Sequence, residues 1–570
     1  MWNNIRQLGF LALTLVAWGF VVVPAGAQDT YDVVIRGGRV MDPETGLDAV
    51  RNLGIHGQTI VAISSDELDG ETVIDATGLV VSPGFIDLHA HGQSNNANRF
   101  QARDGVTTAL ELESGVPDLR LFLKQREGDA ILNFGATIAH DAVRTAVMPE
   151  YAGEVQLALA TLDPEPTVEQ LRELGRVFSQ GNYDELDRSL YAKLFEHIGD
   201  GMDAGALGIG MAHQYYPGAS RDEIYRVFQY AGKEQFTIYT HVRSMGVDAI
   251  QEVVANAAST GAPLHIVHLN SSSLWEIETN LDLIRGAQEL GVDVTTEVYP
   301  YTAASTSLES AIFDEGWQEH LRISYGDLQW QDTGERLTEE TFRSYREEGG
   351  VVIIHMMKPD WIEMGLRAPN TMVASDGMPY ALGAHPRSAG TFSRFLGRYV
   401  RDEGTLSLME GLKKMTLMPA QRLESISPQM KRKGRIQIGS DADITIFDPE
   451  RILDMATFED DLLEDAVKKR HSTTSEAIRT GVDARCYRTI LTHFSQRYPK
   501  AVGRVSDPRE GKAEENGEKR HTSDGSVACA FDGMRVRWDA LGKLTETARA
   551  VDAALEAVEV EAAEARGEDS

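Results

Sequence analysis

Cysteine is nearly missing from this chain. Cys486 and Cys529, both close to the C-terminus, are the only two among 570 residues. Two thiols cannot build a disulfide scaffold; they allow one bridge in an oxidising compartment or two buried thiols. Positive charge is scarce as well. Against 87 Asp and Glu stand 55 Lys and Arg, a formal net charge of −32, and the pI is near 4.9. Such a surface repels polyanions and lacks the basic face of a nucleic-acid binder, although a local basic patch is compatible with it. Long apolar runs are confined to the N-terminus, so no internal segment suits a membrane span. Repeats at solenoid periods are absent too.

The one long apolar run is informative. Arg6 precedes residues 8–23, and Pro24-Ala25-Gly26-Ala27 comes before Gln28. A positive start, an apolar core and a small-x-small site describe a secretory signal peptide cleaved after Ala27. The alternative is an uncleaved anchor, for which the run is barely long enough. The mature protein is expected to be soluble and periplasmic or secreted, with no stable membrane anchor.

From Tyr31 to Val81 short apolar runs alternate with Gly and Asp, the pattern of a small β unit. Strand-length apolar runs then alternate with helical patterns up to about Leu423. Eight strand candidates are 105–112, 131–138, 207–211, 236–241, 264–268, 292–298, 351–355 and 371–375. Amphipathic stretches such as 248–260 and 280–290 lie between them. Alternation of this kind predicts parallel βα units, and eight of them make a barrel. Residues 434–447 turn β-like again. The expected organisation is a signal peptide (1–27), a small β-sandwich domain in two parts (28–83 and 426–455), and a TIM-like (β/α)8 barrel (84–425). An appended segment (456–541) and an acidic helical or disordered tail (542–570) follow.

The strongest local signal is Pro83-Gly84-Phe85-Ile86-Asp87-Leu88-His89-Ala90-His91-Gly92. Residues i and i+2 at a strand end face one side, so His89 and His91 can reach one metal, and imidazole suits zinc and related ions. His241, His268 and Asp376 fall at other strand ends of the alternating region. Catalytic groups of βα barrels collect at the C-terminal ends of the strands. Each residue alone reads more simply as structural or solvated, as His265 and His355 do; the joint placement is what points to a metal-dependent hydrolase.

These residues, with Asp104-Gly105-Val106-Thr107-Thr108, Val298-Tyr299-Pro300-Tyr301-Thr302, His385-Pro386-Arg387 and Gly439-Ser440-Asp441-Ala442-Asp443-Ile444, resemble the amidohydrolase superfamily. The closest resemblance is to its D-aminoacylase (N-acyl-D-amino-acid deacylase) branch, from about 31 to 454. The resemblance implies that His241 and His268 hold a zinc ion and that His89 and His91 complete a centre of one or two Zn2+ ions. It implies that Asp376 takes a proton from the attacking water and returns it to the leaving amine. Arg387, with Tyr299 or Tyr301, would bind the carboxylate of a small N-acyl amino acid; the plainer reading of these three is a salt bridge and core packing. Arginine suits a carboxylate because it donates two parallel hydrogen bonds. The branch usually has a cysteine ligand shortly after the Gly-Val-Thr-Thr segment. Here Ala109-Leu110-Glu111-Leu112-Glu113-Ser114 stands instead, which makes Glu113 the candidate, with Glu111 second and a solvated or salt-bridged glutamate as the alternative. A lysine found in some members after the His268 position is replaced by Asn270-Ser271-Ser272, which leaves the preferred amino acid open. A dipeptidase or a cyclic-amide hydrolase is the rival within the fold.

The end of the chain resembles another family. His471-Ser472-Thr473-Thr474, Leu491-Thr492-His493-Phe494 and Ala528-Cys529-Ala530-Phe531 are similar to the end of long-form tRNase Z, a nuclease of the metallo-β-lactamase type, so 456–541 is expected to be an α/β fragment of that type. His493 matches a metal ligand there. The His-x-His-x-Asp-His cluster of that family is absent from the whole chain. Together with the acidic charge this excludes an active nuclease, and no nucleic-acid partner is expected. The two likenesses share Ala456-Thr457-Phe458-Glu459-Asp460, where a chimeric join is inferred. Another outcome of such a join is a non-catalytic or misfolded product with a truncated β unit. The join is a natural recombination, a gene-model or assembly error, or an engineered joining, and intact-protein mass spectrometry on material from the native host decides: a chain that begins at Gln28 fits leader cleavage, and one that includes Phe494-Ser495-Gln496-Arg497 fits a real fusion. A chain that retains the leader or lacks that segment contradicts the corresponding inference.

Overall fold

The computed structural model describes residues 30–452, apart from 163–167, 380 and 382, together with four short strands between 457 and 529. The leader, the 542–570 tail, His471 and His493 lie outside the described residues.

Strands β1 (Tyr31–Asp42), β2 (Leu47–His56), β3 (Thr59–Ser64), β4 (Gly70–Asp75) and β5 (Val80–Pro83) form most of a six-stranded sheet. The long β1 is shared: its first half runs parallel to β4 and its second half to β5. Ile35, Val40, Leu53, Ile55, Ile60 and Val81 close over Ile436 from the far end of the barrel sequence.

The barrel follows. Its strands are β6 (Phe85–Asp87), β7 (Val106–Val116), β8 (Asn133–Ala139), β9 (Ile209–Ala212), β10 (Ile238–His241), β11 (Leu264–Ile266) and β12 (Val294–Val298). After an insertion containing β13 (Ala304–Ser307), β14 (Leu328–Trp330) and β15 (Val351–Ile354), the last barrel strand is β16 (Thr371–Val373). All eight run parallel, in sequence order. The expected helices appear at Val247–Thr260 and Ile277–Glu289. β17 (Ile444–Phe447) then returns to the small sheet, antiparallel to β5. Among the described residues its other edge has no strand partner.

One strand assignment is corrected. Residues 351–355 form β15, the centre of a separate three-stranded antiparallel sheet of order β13-β15-β14, and the barrel's first strand is β6. Val352, Ile353 and Ile354 are buried, so the run is apolar throughout, the signature that a barrel strand also shows. β6 is only three residues long, and the sequence marks it through the His89 and His91 that follow it rather than through a strand-length apolar run.

The barrel closes between β6 and β16 through side chains and strand ends. The buried Asp87 carboxylate accepts hydrogen bonds from the backbone N–H of His89 (3.2 Å) and Ser375 (3.0 Å) and from the Ser375 hydroxyl. Beyond it, the Gly377 carbonyl accepts from the N–H groups of His91 (2.9 Å) and Gly92 (3.1 Å). The seam therefore fixes the segments that carry His89, His91 and Asp376. Among the described residues no helix is long and apolar enough to cross a membrane. Asp87→Ala leaves three buried donors without their acceptor, and a loss of about 2–4 kcal/mol is expected. Urea unfolding checks this; a change below about 0.5 kcal/mol, the range of an ordinary surface substitution, would show that the seam holds without Asp87.

Candidate metal and hydrolytic site

The C-terminal ends of the strands bring six predicted side chains into one buried cluster. His241 is the last residue of β10, His268 follows β11, Asp376 follows β16, and His89 and His91 follow β6. Glu113 comes from β7, where the chain bulges. Between the pairs Glu111–Ala136 and Val116–Ile138 the strand advances five residues against two on β8. The bulge packs on glycines: a Cβ on Gly210 would lie 2.7 Å from the Glu113 carbonyl oxygen, and Gly115, at φ +74°, is equally crowded by Thr137.

Two groups that could hold a metal ion result. His89, His91 and Asp376 form one; Glu113, His241 and His268 form the other. Glu113 spans them. Its Oε1 is 2.8 Å from His268 Nε2 and 3.0 Å from His241 Nδ1. Its Oε2 is 3.3 Å from Nε2 of both His89 and His91. Asp376 Oδ1 lies 3.4 and 3.5 Å from the same two nitrogens. His89 Nε2 and His91 Nε2 stand 3.2 Å apart, as do His268 Nε2 and His241 Nδ1 at 3.0 Å. Nitrogens aimed at each other at such distances need a shared cation, either a proton or a metal ion.

Each imidazole is also anchored from behind. His89 Nδ1 meets Glu297 Oε1 at 2.7 Å, and His91 Nδ1 meets Glu111 Oε2 at 2.8 Å. His268 Nδ1 meets the Ser272 hydroxyl at 3.1 Å, and His241 Nε2 meets Gln214 Oε1 at 2.8 Å. An acceptor at the far nitrogen fixes the ring and leaves the near nitrogen free to ligate, the usual arrangement around metal-binding histidine. Glu111 thus serves His91 from behind, while Glu113 is the β7 carboxylate that faces the cluster. The donor set of four imidazoles and two carboxylates suits zinc or a related ion.

Electrostatics agree. Burial works against the charged form of His89, but the Asp376 and Glu113 carboxylates outweigh it and hold the imidazolium well above its ordinary range. His91 is raised in the same way, against burial, by Glu111 and Asp376. Burial also opposes the ionised forms of Glu113 and Asp376. Glu113 is nevertheless kept well below the usual carboxylate range by the His89 charge and by hydrogen bonds from His241 and His268, and Asp376 is lowered by Arg387 and His89. Glu297 falls to about 2, against its burial, through hydrogen bonds from His265 and His89. The centre favours any cation placed in it. Two of its members hold costly backbone: His268 has φ +31° and Asp376 φ +52°, conformations that cost non-glycine residues on the order of 1–3 kcal/mol.

A cavity of about 230 Å³ opens onto His91, Glu113, His241, His268 and Asp376. Its other walls come from Ser114, Asp141, Tyr215 and Met245, and from Ala304–Ser307 and Ile354 of the inserted sheet. Arg387 is not on this wall. It is 1% exposed; Nη1 lies 2.9 Å from Asp376 Oδ2, and Nη2 donates to the Ser305 carbonyl at 3.0 Å. Its guanidinium rests over the Tyr299 ring at 4.9 Å, and among the described residues its Nε has no acceptor. Arg387 is thus engaged by Asp376 and by the Ser305 carbonyl. Tyr301 stands apart, packed against His385 and under Arg394.

His265 bonds to Thr295 and Glu297, and His355 to Gln329, both outside the cluster. Glu297, Gln214 and Ser272 were not singled out from sequence. Glu297 carried a usable signal, an acid inside the apolar end of a strand; Gln214 and Ser272 carried none.

Residues 72–476, more than half of the chain, match the amidohydrolase family model Amidohydro_3. The chain is 27% identical over 484 residues to the D-aminoacylase of Alcaligenes xylosoxydans xylosoxydans, covering 75% of this chain and 90% of that protein. The crystal structure of the N-acyl-D-glutamate deacylase of Bordetella bronchiseptica, in complex with zinc and a phosphonate mimic of the tetrahedral intermediate, superposes with a TM-score of 0.62. That match has 23% identity and covers 75% of this chain and 92% of the other. A 45-residue stretch, 8% of this chain, is 71% identical to the mitochondrial tRNase Z TRZ4 of Arabidopsis thaliana and covers 5% of it. On the match across 72–476, this chain belongs to the amidohydrolase family, hydrolases of carbon–nitrogen bonds.

Proposed function

We propose that this protein is a zinc-dependent hydrolase of N-acyl-D-amino acids, releasing a carboxylate and the free D-amino acid. The observation that carries the reading is Glu113, whose two oxygens face two separate histidine pairs. His241 and His268 would hold one ion, His89, His91 and Asp376 a second, with Glu113 between them. Bound zinc supplies Lewis acidity, bringing the pKa of water toward about 7 and polarising an acyl carbonyl.

The chain's own groups do the rest. Asp376 accepts the proton of the attacking water and delivers it to the amine nitrogen as the C–N bond breaks. Arg387 keeps Asp376 ionised until that transfer. Its second task, with Tyr299, is to attract the α-carboxylate of the substrate, and its unused Nε supports this. Tyr301 packs against His385 and under Arg394, and Tyr299 is the tyrosine that accompanies Arg387. Eight of the cavity residues lie in the insertion that carries β13 to β15, which limits water around the reacting amide. The D-series reading is supported by the D-aminoacylase relative.

Export is part of the proposal, supported by the apolar run 8–23 and the small-x-small pattern that ends at Ala27. So is a chimeric origin of the residues beyond about 456, supported by the short tRNase Z likeness; that fragment is read as non-functional.

The zinc-loaded protein should release amine from N-acetyl-D-amino acids and at least about tenfold less from the L series. Asp376→Asn should lower kcat by about 100- to 10,000-fold, the range of general acid–base catalysis. Full activity of that variant, or a protein without bound metal, would contradict the proposal. Glu297→Gln should weaken zinc binding by roughly 10- to 100-fold, as loss of an outer-sphere partner of a ligating histidine does. Competition with a chromogenic chelator measures it, and unchanged affinity would separate Glu297 from the metal centre.

A further inference from the structure

The proposed reaction uses groups at the ends of β6, β7, β10, β11, β12 and β16. The end of β8 carries an acid as well, and the reaction gives it no task. Asp141 is the second residue of the helix His140–Val147 that follows β8. It is half-buried and lines the cavity beside Ser114 and Tyr215.

Among the described residues no lysine or arginine is ion-paired with Asp141. The cation that acts on it electrostatically, Arg144, is engaged by Glu223 Oε1 at 2.9 Å and by the Gly181 carbonyl at 2.6 Å. Burial pushes the Asp141 carboxyl up to about 6, against a hydrogen bond from the Ala142 N–H. This is the behaviour of an acid desolvated without an opposite charge. The cavity as a whole repeats the pattern. Among the described residues, none of those lining it is a lysine or an arginine. Arg387 lies behind Asp376 and is assigned to the α-carboxylate. Whatever side chain the amino acid carries therefore meets an unpaired carboxyl, hydroxyls such as those of Ser307 and Thr306, and apolar groups.

We infer that Asp141 sets side-chain specificity: the site accepts N-acyl amino acids with cationic or neutral side chains and excludes those with acidic ones. An ammonium or guanidinium group next to Asp141 gains a charge-assisted hydrogen bond in a partly dry cavity. A second carboxylate there meets like charge with no lysine or arginine on the cavity lining to offset it. The inference rests on the proposed hydrolysis of N-acyl amino acids.

The test compares kcat/KM for N-acetyl-D-lysine, N-acetyl-D-leucine and N-acetyl-D-glutamate, read as acetate release by the zinc-loaded full chain. The lysine and leucine substrates should each exceed glutamate by at least about tenfold, the scale of one hydrogen bond to a charged group. Asp141→Asn should lower the lysine-to-leucine ratio by about as much, through KM, and Asp141→Lys should raise the glutamate-to-lysine ratio. These are ratios within one variant, so a general loss of folded enzyme does not imitate them. A preference for glutamate, or ratios that neither substitution moves, would overturn the assignment of Asp141. Failure to hydrolyse any of the three would instead overturn the underlying reading, and the assignment with it.

Discussion

The Glu113 carboxylate, wedged between two pairs of histidines, is the interaction on which the rest of the site depends. Four imidazole nitrogens converge on it or on Asp376 within about hydrogen-bonding distance. Neutral rings packed this way would repel through their lone pairs. The arrangement is stable because negative charge sits in the middle and a cation can sit beside it. Glu297 and Glu111 extend the same logic outward by fixing the far nitrogens of His89 and His91. The centre is thus built to bind cations before any substrate arrives.

The barrel bears the cost of holding this geometry. The bulge in β7 brings Glu113 to the cluster and is tolerated because Gly210 and Gly115 leave room for it. His268 and Asp376 take up left-handed backbone, a conformation that only the surrounding structure can impose. The seam at Asp87, Ser375 and Gly377 then ties the two strands that carry three of the six candidate ligands. Strain and closure fall at the same end of the barrel, where the ligands must be placed.

Much of this was legible in the sequence, and the reasons differ by residue. His89, His91, His241, His268 and Asp376 each follow a run of apolar residues, so period and position together announced strand ends. Glu113 was legible as the acid standing where the D-aminoacylase resemblance led one to expect a cysteine, but choosing it over Glu111 required the bulge. β15 was misread because an apolar run buried on both faces looks the same in an inserted sheet as in a barrel. Arg387 was found by its motif, yet its pairing with Asp376 depends on how a helix start meets a strand end far away in the chain. The back-side partners Gln214 and Ser272 are ordinary polar residues whose roles come only from tertiary contact. Asp141 belongs to the same class: nothing in its neighbours reveals that it borders a cavity whose described lining has no lysine or arginine.

The central claim is that one carboxylate, Glu113, serves two metal positions. Anomalous diffraction from crystals of the zinc-loaded protein tests it most directly. The account predicts zinc at one or both positions with a Glu113 oxygen in the coordination shell, Oε1 on the side of His241 and His268 and Oε2 on the side of His89 and His91. Zinc held by the histidines with Glu113 turned away from it would contradict the account.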